Sequence, residues 1–226
     1  MNESISAVTF DLDGTLCTYR RSPAEVLCVA FERVGVDALF PAAAYEERFP
    51  AYVEESSSLE DLRTACFADL AAAAGRDPEI GREVATAYTD ERDQRAVEAL
   101  PGALEAVETL AGDYRLAIVS NGDPAAQEQK LEGLGLTDRF DATVFGGFDT
   151  AAKPDPEPFE RALSALETAP EQAVHVGNSL ESDVVGAFRA GVASAWLRDE
   201  EAPVEPDPAP TYVLDSLEEL QPPPWE

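Results

Sequence analysis

Lysine is nearly absent from this chain. Of 226 residues only Lys130 and Lys153 are lysine, and His175 is the single histidine. Acidic residues outnumber basic ones by 45 to 16, a formal net charge of −29. So few cations exclude electrostatic binding to nucleic acid or to an anionic membrane, and no basic stripe interrupts the pattern. Three cysteines, Cys17, Cys28 and Cys66, show no metal-ligand spacing, and their odd number argues against a disulfide framework. No apolar run is long enough to span a bilayer, and MNESISAVTF lacks the basic end of a secretory signal. The expectation is a soluble protein of a reducing, cytoplasmic compartment. Nothing in the chain specifies an oligomer, and no internal repeat is present.

What stands out against these absences is Asp11-Leu12-Asp13-Gly14-Thr15-Leu16, directly after the apolar run Ala7-Val8-Thr9-Phe10. Such a run is expected to form a buried strand, with Gly-Thr as its exit loop. Residues i and i+2 of a strand point the same way, so Asp11 and Asp13 would face one cleft at the strand's C-terminal end. Two acids in one small site repel unless a cation joins them or one takes a proton. That arrangement suits a nucleophile, a general acid/base and a hard divalent cation. The alternative is a pair of turn-forming aspartates, since Asp-Gly is itself a turn signal.

The hexapeptide resembles the first motif of the haloacid dehalogenase-like hydrolase superfamily, whose members are mostly Mg²⁺-dependent phosphatases. Three further motifs follow in the family's order: Ser120-Asn121-Gly122 after Leu116-Ala117-Ile118-Val119, then Lys153-Pro154, then Gly177-Asn178-Ser179-Leu180-Glu181-Ser182-Asp183 after Val174-His175-Val176. The resemblance implies Asp11 as nucleophile and Asp13 as general acid/base, with Lys153 between a carboxylate and the phosphate. It implies Ser120, with the backbone N–H groups of Asn121 and Gly122, as phosphate-binding, and Asp11, Asp13, Asp183 and Asn178 around Mg²⁺. Ser120 or Asn121 would serve equally as a helix N-cap. Family members usually carry Asp at position 178. Asn178 still offers a hard carbonyl oxygen but no charge, with Glu181 a less favoured substitute.

The implied function is a phosphomonoesterase acting on a small soluble phosphorylated substrate. Alternatives within the family are a 2-haloacid dehalogenase, which Asn178 favours and Asp13 opposes, and a phosphomutase. A phosphate-binding protein with a decayed fourth motif is the non-enzyme alternative. The acidic field would repel a phosphate ester in dilute buffer. In roughly molar salt the Debye length falls to about 3 Å and the repulsion is screened. The composition is similar to that of salt-accumulating halophiles, with an acidic mesophilic protein as the alternative.

The chain pattern predicts an α/β fold: a Rossmann-like parallel sheet with helices on both faces, plus an inserted all-helical subdomain. Residues 1–17 and 96–226 form the expected core and 18–95 the insert. In the insert Val26, Leu27, Ala30, Phe31 and Val34 recur at helical spacing, as do Leu59, Leu62, Cys66, Leu70 and Ala73, with no strand-like alternation. Pro23 and Pro78 suit first helical turns. Strands are predicted near 5–10, 115–119, 142–145, 173–176 and 192–197, with an edge strand at 211–214. Helices are predicted near 123–134, 156–167 and 182–190, and along the face Ala103, Leu104, Ala106, Val107 and Leu110. Pro-rich segments at 203–210 and 222–224 are expected as linker and tail. In the resembling family an insert after the first motif is a cap over the active site. Completion of one larger core is the alternative. His175 is expected on a sheet face, Cys17 as a buried structural thiol. Tyr19, Arg20 and Arg21 are expected either as a substrate grip or as a solvated loop.

Overall fold

The computed structural model describes residues 4–53, 56, 58–199 and 206–226. Residues 1–3 of the N-terminal stretch, and 203–205 of the expected linker, lie outside the described residues. The strands are β1 (Ala7–Phe10), β2 (Cys17–Tyr19), β3 (Val97–Ala99), β4 (Arg115–Asn121), β5 (Ala142–Gly146), β6 (Ala173–Gly177), β7 (Ala193–Leu197) and β8 (Tyr212–Leu214). The helices are α1 (Pro23–Val34), α2 (Ala42–Arg48), α3 (Pro50–Val53), α4 (Leu59–Ala73), α5 (Pro78–Glu91), α6 (Ala103–Leu110), α7 (Pro124–Leu134), α8 (Glu157–Ala165) and α9 (Val185–Ala190). Two compact units result: Met1–Thr18 with Val97–Glu226, and Tyr19–Ala96.

The first unit holds a six-stranded sheet in the order β5-β4-β1-β6-β7-β8, parallel at every pairing. This is a Rossmann-like α/β fold. All four residues of β1 are buried, as a central parallel strand covered on both faces requires. Ala7, Ala117, Val119 and Val144 pack with Phe159, Ala162 and Leu163 of α8 and Ala187 of α9 in one apolar cluster. Burial of a side chain such as Phe10, fully enclosed, contributes roughly 1.5–3 kcal/mol. Thr9 is the polar exception in β1, and its hydroxyl lies 2.9 Å from His175 Nδ1 in neighbouring β6. The edge strand at 211–214 is present as β8. Leu104, expected on the buried face of α6, is instead exposed.

β2 and β3 pair as a separate two-stranded sheet where the chain leaves and re-enters this unit. The sequence pattern has no strand there, because three residues are too few to display an alternation.

The second unit is helical. Ser22 caps α1 in a reciprocal box with Glu25, and Pro23 and Pro78 open α1 and α5. Its core gathers Val26, Leu27, Phe31, Leu62, Phe67 and Val84. Tyr45, Phe67 and Tyr88 meet edge to face, a geometry worth about 0.5–1.5 kcal/mol per pair beyond area. Arg63, also buried, places its guanidinium over the Tyr88 ring and donates to the Tyr45 hydroxyl.

Candidate active site

Asp11 follows the last residue of β1, Ser120 is the penultimate residue of β4, and Asn178 follows β6. β1 lies between β4 and β6, so the chain's crossovers leave it on both sides. Ligands of open α/β sheets bind at such a switch point, beyond the strands' C-terminal ends. The expected motif residues therefore converge.

Lys153 Nζ donates to Asp11 Oδ1 at 2.8 Å, to Asp183 Oδ1 at 2.6 Å and to the Val119 carbonyl at 2.7 Å. All three charged groups are buried. Burial opposes the Lys153 ammonium, but the two carboxylates hold it above the ordinary lysine value. Burial likewise opposes the Asp183 carboxylate, yet Lys153 and His175 hold it well below the usual range. Asp11 goes the other way. Burial pushes its carboxyl up, Lys153 opposes, and the Asp183 and Asp13 charges add to the rise. One ammonium shared by two carboxylates leaves Asp11 short of positive charge.

Asn121 fixes Lys153 from the backbone. Its side-chain oxygen accepts the Lys153 N–H at 2.8 Å, and its amide nitrogen donates to the Lys153 carbonyl at 2.9 Å. Gly122 departs from expectation: its N–H donates to the Gly146 carbonyl at 3.1 Å, continuing the β4–β5 ladder, and so is not presented to a phosphate. The N-cap of α7 is Asp123, whose side chain accepts from the Ala126 N–H; neither Ser120 nor Asn121 fills that role.

Strand alternation is not what joins the two aspartates of the first motif. β1 ends at Phe10, and residues 12–17 fold into a turn in which the N–H groups of Thr15, Leu16 and Cys17 all donate to the Leu12 carbonyl. Asp13 is turned toward α7. Both its carboxylate oxygens lie 2.7 Å from Lys130 Nζ, and Gln127 Nε2 donates to Asp13 Oδ2 and to Ser120 Oγ at 3.0 Å each. Lys130 and Gln127 contact Asp13, and the motifs do not indicate either of them. The scarcity of lysine that singles out Lys153 was an available signal for Lys130.

Of the four side chains expected around a cation, the structure brings two together. The Thr15 hydroxyl lies 3.3 Å from Asp11 Oδ2 and 3.2 Å from Asn178 Oδ1. It has one hydrogen for two acceptors, so it donates to only one of these hard oxygens at a time. Gly14 permits this closeness: with φ +77°, a Cβ there would stand 2.6 Å from Asn178 Nδ2. Asp13 and Asp183 are otherwise engaged. Asp183 accepts from Lys153, His175 and the Ser179 N–H. Among the described residues no group of three or more His, Cys, Asp or Glu side chains is arranged for a metal. A carboxylate and an amide oxygen nevertheless suit Mg²⁺, which binds through one or two carboxylates and keeps several waters.

Cys17 is buried, and burial pushes its thiol up to about 12, so it is inert as a nucleophile. His175 is buried and packs edge to face on Phe159. Arg21 belongs to the helical unit's own ion pairing, with Nη1 2.6 Å from Glu91 Oε1, and Tyr19 donates to Gln94.

Residues 5–191 match the family model of haloacid dehalogenase-like hydrolases. Over 163 residues the chain is 36% identical to phosphoserine phosphatase of Thermus thermophilus, covering 70% of this chain and 64% of that protein. Over 123 residues it is 35% identical to pyrimidine 5′-nucleotidase YjjG of Escherichia coli, covering 54% of this chain and 55% of that protein. The chain thus spans less than two thirds of the length of these curated relatives. Among solved structures, the magnesium-bound HAD-hydrolase YfnB of Bacillus subtilis shares the fold, with a TM-score of 0.76 at 23% identity over 96% of this chain and 97% of that one. Carrying that fold and a family match over most of its length, the chain belongs to the haloacid dehalogenase-like hydrolases.

Proposed function

We propose that the protein is a Mg²⁺-dependent phosphomonoesterase working through an aspartyl-phosphate on Asp11. The observation that carries this reading is the buried bridge from Asp11 through Lys153 to Asp183, with the Asp13 carboxylate alongside. Asp11 attacks phosphorus through a carboxylate oxygen, and the ester P–O bond breaks. Asp13 passes a proton to the departing oxygen, then takes one from the water that attacks the aspartyl-phosphate. That second attack releases inorganic phosphate and restores Asp11. Lys153 holds the nucleophile's orientation and supplies a compact positive charge where the phosphoryl group arrives. Ser120 offers a hydroxyl to a phosphoryl oxygen.

Asp11 and Asn178 are the residues that would hold Mg²⁺. When bound, the ion screens the phosphoryl charge from the carboxylates. Its double charge would also oppose the burial that raises the Asp11 carboxyl. Residues 18–95 act as a cap, excluding water during the reaction. The relatives' names cover an amino-acid phosphate and a nucleotide, which supports a small, soluble phosphate ester as substrate class.

The dehalogenase reading keeps one observation in its favour, the uncharged Asn178. Against it stands Asp13, held by Lys130 and Gln127, because expelling halide requires no proton. The test is hydrolysis of para-nitrophenyl phosphate in about molar KCl across a Mg²⁺ titration, with Asp11→Asn as control and 2-chloropropionate as competing substrate. Metal-dependent phosphate release, abolished in the variant, is the expected result. Chloride release without metal would overturn the reading.

A further inference from the structure

Both lysines of the chain are buried, and each is ion-paired with one aspartate of the first motif: Lys153 with Asp11, Lys130 with Asp13. Arginine supplies the remaining basic side chains besides His175. A compact ammonium fits a closed slot that a planar guanidinium does not. The Asp13 side chain is 43% exposed while that of Lys130 is 7% exposed. One side of the carboxylate is therefore open, and the other rests on α7. Both oxygens engage Lys130, which constrains rotation about the terminal bond of Asp13. Gln127, one turn earlier on the same helix face, ties the same carboxylate to Ser120. A Cβ at Gly122 would stand 2.8 Å from Gln127 Nε2, so the strand's exit is shaped to admit this amide.

We propose that Lys130, supported by Gln127, is a positioning residue for Asp13, holding its carboxylate in the rotamer that exchanges protons with the leaving oxygen and the attacking water. The inference rests on the phosphomonoesterase reading of Asp13. Lys130 acts on the reaction through that side chain.

A double-mutant cycle tests it, with Asp13→Asn, Lys130→Met and the pair assayed on para-nitrophenyl phosphate in molar KCl with Mg²⁺. Lys130→Met is expected to lower kcat by about 10–100-fold, the range for a misplaced acid/base, with KM within about twofold. In the Asp13→Asn background the same change should lower kcat no further. An equal further loss in that background, or a loss confined to KM, overturns the proposal.

Acylation by a succinimidyl ester, followed peptide by peptide, supplies a readout independent of turnover and of the folding of Lys130→Met. In folded Asp13→Asn protein Lys130 should react several-fold faster than in the wild type, with Lys153 unchanged. Equal Lys130 rates would show that the pair does not exist in solution. Protein that shows this contrast yet hydrolyses no phosphate ester would sink the functional reading while leaving the pairing intact. Turnover without the contrast would sink the pairing alone.

Discussion

His175 Nε2 lies 3.2 Å from Asp183 Oδ1, with both side chains buried in the core. An ionised carboxylate only accepts, so Nε2 carries the hydrogen, and Nδ1 accepts from the Thr9 hydroxyl. The chain's one imidazole is thereby tied to Asp183, which shares the Lys153 ammonium with the nucleophile. It is both a core residue and a member of the site's polar network.

The burial of this imidazole, which outweighs its pairing with Asp183, predicts a particular acid response. Burial holds His175 below its ordinary value, so the unfolded chain binds the extra proton first. Stability from His175 is complete above about pH 6.5 and declines as pH falls through that value. Asp183, held low, contributes in the same direction below about pH 4. Asp11, pushed up, contributes oppositely, but it does so in wild type and His175 variants alike. Denaturant titrations from pH 7.5 to 5 should show a decline in the wild type that is flatter in His175→Asn. Parallel profiles would contradict it.

Gly177 leaves no room for a methyl group, because a Cβ there would stand 2.4 Å from Asp183 Cγ. Gly177→Ala should displace the Asp183 carboxylate and, with it, Lys153. The expected outcome is a destabilisation of about 1–3 kcal/mol, as for other overpacked sites. Activity should fall by more than stability alone explains. Thermal melts and kcat measured on the same preparation separate the two.

Asn178→Asp adds a second charge beside Asp11 Oδ2. Apparent Mg²⁺ affinity should rise about tenfold or more, equivalent to at least about 1.4 kcal/mol. Without metal the variant should melt lower than the wild type, since a second carboxylate would then face Asp11 across the shared Thr15 hydroxyl. Calorimetric titration and melts in EDTA check the two halves.

The net charge of −29 predicts that the melting temperature rises between about 0.05 M and 1 M KCl, as screening shortens the range of self-repulsion. A sulfate-free series of chloride salts distinguishes screening from preferential exclusion. An unchanged melting temperature would argue that the charges are dispersed enough to be neutral in effect.

The carboxylates of the first motif were legible because an apolar run precedes them and local chemistry marks the turn. The second, third and fourth motifs were legible for the same reason, each lying at the end of a strand-like run or before a prolyl helix start. The Asp13–Lys130 pair was not. Its members are far apart in sequence, and the buried face of α7 includes Gln127 and Lys130 beside Ala126 and Leu131. A half-polar face of that kind looks like a solvated one until the fold shows what it covers. The role of Asn121 was hidden for a related reason, since its side chain recognises the backbone of Lys153, and a backbone leaves no trace in residue identity.

The strand pair β2–β3 has a consequence for how the chain is threaded. The chain departs from the core after Thr18 and returns at Val97, and the Leu100 N–H donates to the Leu16 carbonyl at 3.0 Å. Exit and entry are thus neighbours on one ladder. Residues 19–96 therefore enter and leave the chain at one short ladder, so a change of length within them need not alter the separation of Leu16 from Leu100.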